Sequence, residues 1–168
     1  MASFFINFVN SKYHPMKTPS AIELSKDTST NVIGKIILVD NDKYEKELLV
    51  EALHEKNWNV NVEYFNNGHD ALEYMKTTKD ELFLVISDMN MPKMSGMEFK
   101  KAIDEYKTLR EKSTPFIFVS TGATNEQLSE AYACRVQGYF LKPDSIEEQA
   151  EILDLIIKYW IVSKQPKK

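Results

Sequence analysis

Four short runs of the chain are almost wholly apolar, and each closes on a polar residue: 35–40 (KIILVD), 82–88 (LFLVISD), 115–120 (PFIFVS) and 138–142 (GYFLK). Their β-branched, Leu and aromatic content predicts strands, and their lack of alternation predicts burial on both faces. A fifth run, 60–65 (VNVEYF), alternates and suits an edge strand. Between these runs the apolar spacing becomes helical. Leu48, Leu49, Ala52 and Leu53 share one face, as do Leu128, Ala131 and Tyr132. Ile146, Ala150, Leu153, Ile157, Trp160 and Ile161 continue one stripe through the last helix. Four acceptor-x-x-Glu/Gln pairs predict helix starts: Asp42 with Glu45, Ser95 with Glu98, Thr124 with Gln127, and Ser145 with Glu148.

Five strands alternating with five helices predict a parallel sheet covered on both faces. Right-handed crossovers leave few topologies. The most economical is a flavodoxin-like (βα)5 three-layer sandwich with strand order 2-1-3-4-5, whose site lies at the carboxyl ends of the strands beside the switch point. The polar residues that close the apolar runs should therefore converge. They are Asp40, Asn41 and Asp42 after the first run, Asp88 after the third, Ser120 after the fourth and Lys142 after the fifth. Carboxylates with amide or carbonyl oxygens suit a hard cation such as Mg²⁺. Lys142 supplies a compact positive charge to offset the acids and hold a phosphoryl oxygen. In that setting a carboxylate can act as nucleophile on a phosphoryl group.

Length and charge narrow the classes. The chain has 168 residues, 21 basic against 25 acidic, for a net charge of −4. That supports one domain and gives no basic face for nucleic acid. No apolar run is long enough to span a membrane, and the first ten residues make a poor signal peptide. The single cysteine, Cys134, excludes an internal disulfide framework. An unpaired thiol beside seven methionines fits the cytoplasm. Residues 1–34 are rich in Ser, Thr and Asn, carry Pro15 and Pro19, and show no sustained period, which predicts a flexible arm. The domain then occupies 35–162, and 163–168 form a tail.

The segment Asp88-Met89-Asn90-Met91-Pro92-Lys93-Met94-Ser95-Gly96 resembles the phosphoacceptor motif D-x-N-M-P-x-M-x-G of two-component response-regulator receiver domains, chemotaxis regulators among them. Ser120 lies twenty-two residues before Lys142-Pro143, and Tyr139 three before that lysine, matching the family's hydroxyl residue and switch aromatic. The resemblance spans about 35–160 and implies a role for each position. Asp88 would be the phosphoacceptor. Asp40, Asn41, Asp88 and the backbone carbonyl of Asn90 would bind Mg²⁺. Ser120 and Lys142 would grip the phosphoryl group, Pro143 would follow a cis peptide bond, and Ser120 with Tyr139 would form the switch. Pro92 and Gly96 shape the loop, Gly96 through close approach or positive φ. Met89, Met91, Met94 and Met97 read as packing. One departure stands out: Asn41 replaces the second member of the family's acidic pair, which should weaken Mg²⁺ binding unless the adjacent Asp42 compensates. Ser95, often Asp in the family, and the bulky Thr121 are milder departures.

The expected function is phosphorelay signalling without an enzymatic reaction of its own. A histidine kinase or phosphotransfer protein would phosphorylate Asp88. About 126 residues fill one receiver, so output is expected by binding another protein through 124–136, 138–140 and the last helix. Asn41 supports a second reading, a pseudo-receiver that binds partners without phosphate. A third is a phosphatase with Asp40 as nucleophile of a D-x-D motif, Asp40-Asn41-Asp42. Lys43 departs from the Thr or Val that normally follows.

Overall fold

Two cores, one on each side of a single sheet, hold the domain together. A computed structural model describes residues 34–163; the expected arm, apart from Gly34, and the expected tail, apart from Ser163, lie outside the described residues. The strands are β1 (Lys35–Val39), β2 (Val62–Phe65), β3 (Leu82–Ser87), β4 (Phe116–Ser120) and β5 (Gly138–Leu141). All pair in parallel in the order β2-β1-β3-β4-β5. The alternating run 60–65 supplies an edge strand, β2, over its last four residues. The helices are α1 (Tyr44–Glu55), α2 (Gly68–Thr77), α3 (Gly96–Glu105), α4 (Lys107–Lys112), α5 (Asn125–Ala133) and α6 (Ile146–Val162).

Successive side chains of a strand face opposite ways, and the continuous apolar runs feed both cores accordingly. Ile37, Val39, Val85, Phe116 and Phe118 pack with Ala71, Leu72, Met75, Phe99, Ile103 and Ala131 of α2, α3 and α5. Ile36, Leu38, Leu84, Ile86 and Ile117 pack with Leu49, Ala52, Leu53, Ala150, Leu153 and Ile157 of α1 and α6. Leu48 and Tyr132, expected on buried faces, are exposed instead.

Among the described residues there are six helices, one more than the pattern predicts. The extra one arises because the helix after β3 breaks at Tyr106, whose ψ of 111° is extended. In an unbroken helix Leu109 would point roughly 120° away from Ile103. The break turns it inward, and Leu109 is only 3% exposed. Arg110 secures the corner by donating to the Asp104 carbonyl at 3.0 Å. The Lys76 ammonium lies 4.0 Å over the Tyr106 ring.

The predicted capping boxes Ser95/Glu98 and Thr124/Gln127 form in full, and Ser145 accepts from the Glu148 amide. The Asp42/Glu45 pair does not. Lys43 occupies the N-cap of α1, Asp42 Oδ1 accepts from the Tyr44 amide at 3.0 Å, and the Glu45 side chain turns to Lys142.

Candidate functional site

Backbone bonds at the ends of the strands assemble the site. The Asp88 amide donates to the Val39 carbonyl at 2.8 Å, which sets the end of β3 beside that of β1. The Lys142 amide donates to the Ser120 carbonyl at 2.8 Å, which does the same for β5 and β4. Asp40, Asp88 and Lys142 consequently line one cleft with Glu45 and Pro143, over an apolar floor that includes Leu38, Ile86 and Ile117.

The two strand-end carboxylates differ in what they have left to offer. Asp40 is buried, 3% exposed, and both its oxygens are engaged. Its Oδ1 accepts from the Asp42 amide at 2.8 Å and its Oδ2 from Lys142 Nζ at 2.7 Å. Its carbonyl accepts from the Tyr64 hydroxyl at 2.9 Å. Asp88 is half-buried, and its Oδ1 accepts from the Met89 amide at 2.7 Å. Its Oδ2 takes no hydrogen bond among the described residues. Lys142 also donates to Glu45 Oε1 at 3.0 Å. Burial opposes the lysine's charge, but the bonds and charges of Asp40 and Glu45 together outweigh it and hold the ammonium above the ordinary lysine value.

The loop carrying Asp88 is pinned from below. Met89 and Met91 are buried in the core, with Met97 and the partly buried Met94 beside them, so the methionines pack as expected. The Gly96 amide donates to the Met89 carbonyl at 3.0 Å. A Cβ at Gly96 would fall 2.3 Å from the Asp88 carbonyl oxygen, so this glycine serves close approach, not positive φ. The Met94 amide donates to the Pro92 carbonyl at 2.8 Å, and Lys93 adopts a left-handed φ of 69°.

Of the two hydroxyl residues, Ser120 stands deeper and Tyr139 is half-buried. Ser120 is fully buried, and Asn90 Nδ2 approaches its Oγ at 3.5 Å. The Tyr139 hydroxyl donates to the Gly122 carbonyl at 2.9 Å and lies 3.4 Å from the Met89 sulfur, its ring 6.0 Å from that of Phe118. Asn41 is exposed, as is Asp42, whose carboxylate serves α1.

The donor set of the site is two carboxylates, with the Asn90 carbonyl and the Asn41 amide nearby in sequence. Among the described residues no three His, Cys, Asp or Glu side chains converge as a metal cage. Such a set fits a hard cation that keeps several waters better than one needing a closed cage. Two expectations need correction. No peptide bond among the described residues is cis, so Pro143 follows a trans bond. Glu45, read only as a capping partner, is a member of the cleft; its place in the first turn after Asp40 was the available signal.

Comparison with known proteins agrees with this fold. Residues 36–154 match the model of the response regulator receiver domain, and the chain belongs to that family, the receiver module of two-component systems. It is 31% identical over 124 residues to chemotaxis protein CheY-3 of Vibrio cholerae, covering 74% of this chain and 92% of that one. It is 25% identical over 130 residues to the probable methanogenesis regulatory protein FilR2 of Methanothrix harundinacea, covering 75% and 83%. The crystal structure of the phosphorylated cyanobacterial phytochrome response regulator RcpA shares the fold, with a TM-score of 0.68 at 24% identity over 80% of this chain and 99% of that one. No helix among the described residues is long and apolar enough to cross a membrane.

Proposed function

We propose that the chain is a phosphorelay switch in which Asp88 accepts a phosphoryl group from a phosphohistidine on a histidine kinase or phosphotransfer protein. The observation that carries this reading is the contrast between the two carboxylates. Asp40 has both oxygens bonded beneath the surface, whereas Asp88 is half-exposed at the rim with one oxygen uncommitted. The same contrast favours Asp88 over Asp40 as nucleophile and so speaks against the phosphatase reading.

An Asp88 oxygen attacks phosphorus in line with the P–N bond. That bond breaks, its electron pair returns to the imidazole nitrogen, and an acyl phosphate forms on Asp88. Catalysis is then positioning and charge neutralisation. The Lys142 ammonium and the Ser120 hydroxyl hold phosphoryl oxygens. Asp40, Asp88, the Asn90 carbonyl and the Asn41 amide would hold Mg²⁺, whose contribution is to neutralise developing charge. Drawing Ser120 toward the phosphoryl group shifts the loop after β4. Tyr139, bonded to Gly122 in that loop, follows and changes the surface offered to a downstream protein.

Incubation with Mg²⁺ and acetyl phosphate, followed by intact mass, tests the reading. One phosphoryl group is expected on the wild type and none on Asp88→Asn. Asn41 favours one other reading, a pseudo-receiver that binds partners unmodified. A wild type that takes no phosphoryl group at saturating donor and metal would establish that reading instead.

A further inference from the structure

Lys142, which would hold a phosphoryl group on Asp88, is bonded to two other acceptors instead. An ammonium has three donors, and two of these point to Asp40 Oδ2 at 2.7 Å and Glu45 Oε1 at 3.0 Å. Among the described residues it makes no bond to Asp88. The two acceptors are not equivalent. The Asp40 side chain is 4% exposed, whereas that of Glu45 is 20% exposed and stands on the first turn of α1 at the end of a longer, more flexible stem. Releasing Glu45 returns its carboxylate to water, while releasing Asp40 strands a buried charge. Glu45 is therefore the contact that yields.

Its charge matters as well. Position 41, beside Asp40 at the strand end, is a neutral amide, while the cleft's third carboxylate stands at position 45 and rests on the lysine. A dianionic phosphodonor entering the cleft meets that carboxylate together with a lysine it has already claimed.

We propose that Glu45 is a positioning residue that retains Lys142 at α1, so that exchange of Glu45 for a phosphoryl oxygen limits modification of Asp88. This rests on the phosphoacceptor reading above, and it adds the regulation of that site. A glutamine at 45 keeps the shape of the side chain, removes the charge and weakens the hold on the ammonium.

The test is Glu45→Gln, with and without Lys142→Met, in the full chain. At sub-saturating acetyl phosphate, Glu45→Gln should form the Asp88 adduct about three- to tenfold faster, the range of one modest charge-assisted contact. The gain should appear mainly as a lower KM for the donor. In the Lys142→Met background the same change should have no effect, because the two residues act as a unit. A second readout does not depend on phosphorylation. Brief acylation with acetic anhydride, mapped by peptide mass, should label Lys142 faster in Glu45→Gln than in wild type, with the other lysines unchanged. An adduct rate equal to or below that of wild type overturns the proposal. So does a gain that persists without Lys142, since the charge then acts on the donor directly. If the wild type itself forms no adduct, the phosphoacceptor reading fails separately; unchanged Lys142 labelling would then remove the hold of Glu45 too.

Discussion

Replacing Gly96 by alanine sets two effects of opposite sign against each other. Gly96 begins α3 with a negative φ, so alanine is conformationally allowed there. By backbone entropy and helix propensity alone the change should stabilise by about 0.5–1 kcal/mol. Packing says otherwise. The new methyl would lie 2.3 Å from the Asp88 carbonyl oxygen, 2.7 Å from a ring carbon of Phe118 and 3.1 Å from the Met89 Cα. Two of these neighbours are backbone, and Phe118 is fully buried, so none swings aside cheaply. Overpacking of this kind costs about 1–3 kcal/mol. The steric term should win, leaving a net loss of about 1–2 kcal/mol and a melting temperature lower by roughly 3–8 °C for a domain of this size. Urea unfolding at constant m-value is the assay. Because the displaced atom belongs to Asp88, the proposed phosphoacceptor, adduct formation there should slow as well. A variant as stable as wild type, or more so, would show that the start of α3 does not press on the Asp88 carbonyl, and the account of the loop would fail.

Two further outcomes are expected. Asn41→Asp should tighten Mg²⁺ binding, by roughly 2 kcal/mol for one carboxylate about 4 Å from a divalent ion under water-like screening; calorimetry giving unchanged affinity would mean that position 41 does not face the metal. At the opposite end of β1, the Lys35 ammonium and then the Tyr74 hydroxyl hold the Asp80 carboxyl at about 2. A carboxyl lowered by folding stabilises above its unfolded value and loses that contribution as pH falls through the folded one. The stability difference between wild type and Asp80→Asn should therefore be constant above about pH 5 and shrink between about pH 4 and pH 2. An Asp80 carboxyl resonance that titrates near pH 4 by NMR would refute it.

Much of this molecule is legible one segment at a time. The runs around Ile36, Leu84 and Ile117 announce strands buried on two faces, because apolar continuity over five residues has few other uses in a soluble domain. The boxes at Ser95 and Thr124 mark helix starts because their bonds close within four residues. Once five such strands alternate with helices, the rule for parallel sheets places Asp40, Asp88, Ser120 and Lys142 at one end without any coordinates.

What segments cannot announce is which partner a side chain chooses when several compete. Glu45 has a local partner in prospect, the amide of Asp42, and spurns it for an ammonium 97 residues away. Tyr106 sits in a stretch with neither Gly nor Pro, yet the helix breaks there because burying Leu109 in the core outweighs one more turn. Asp40 and Asp88 look alike in sequence, each closing an apolar run. Only the arrival of Lys142 on one of them leaves the other's oxygen uncommitted. Local bonds and periodic burial are set by spacing along the chain and so belong to the sequence. The allocation of a scarce charge among acceptors from different elements depends on distances that exist only after the sheet has formed, and there the tertiary structure alone decides.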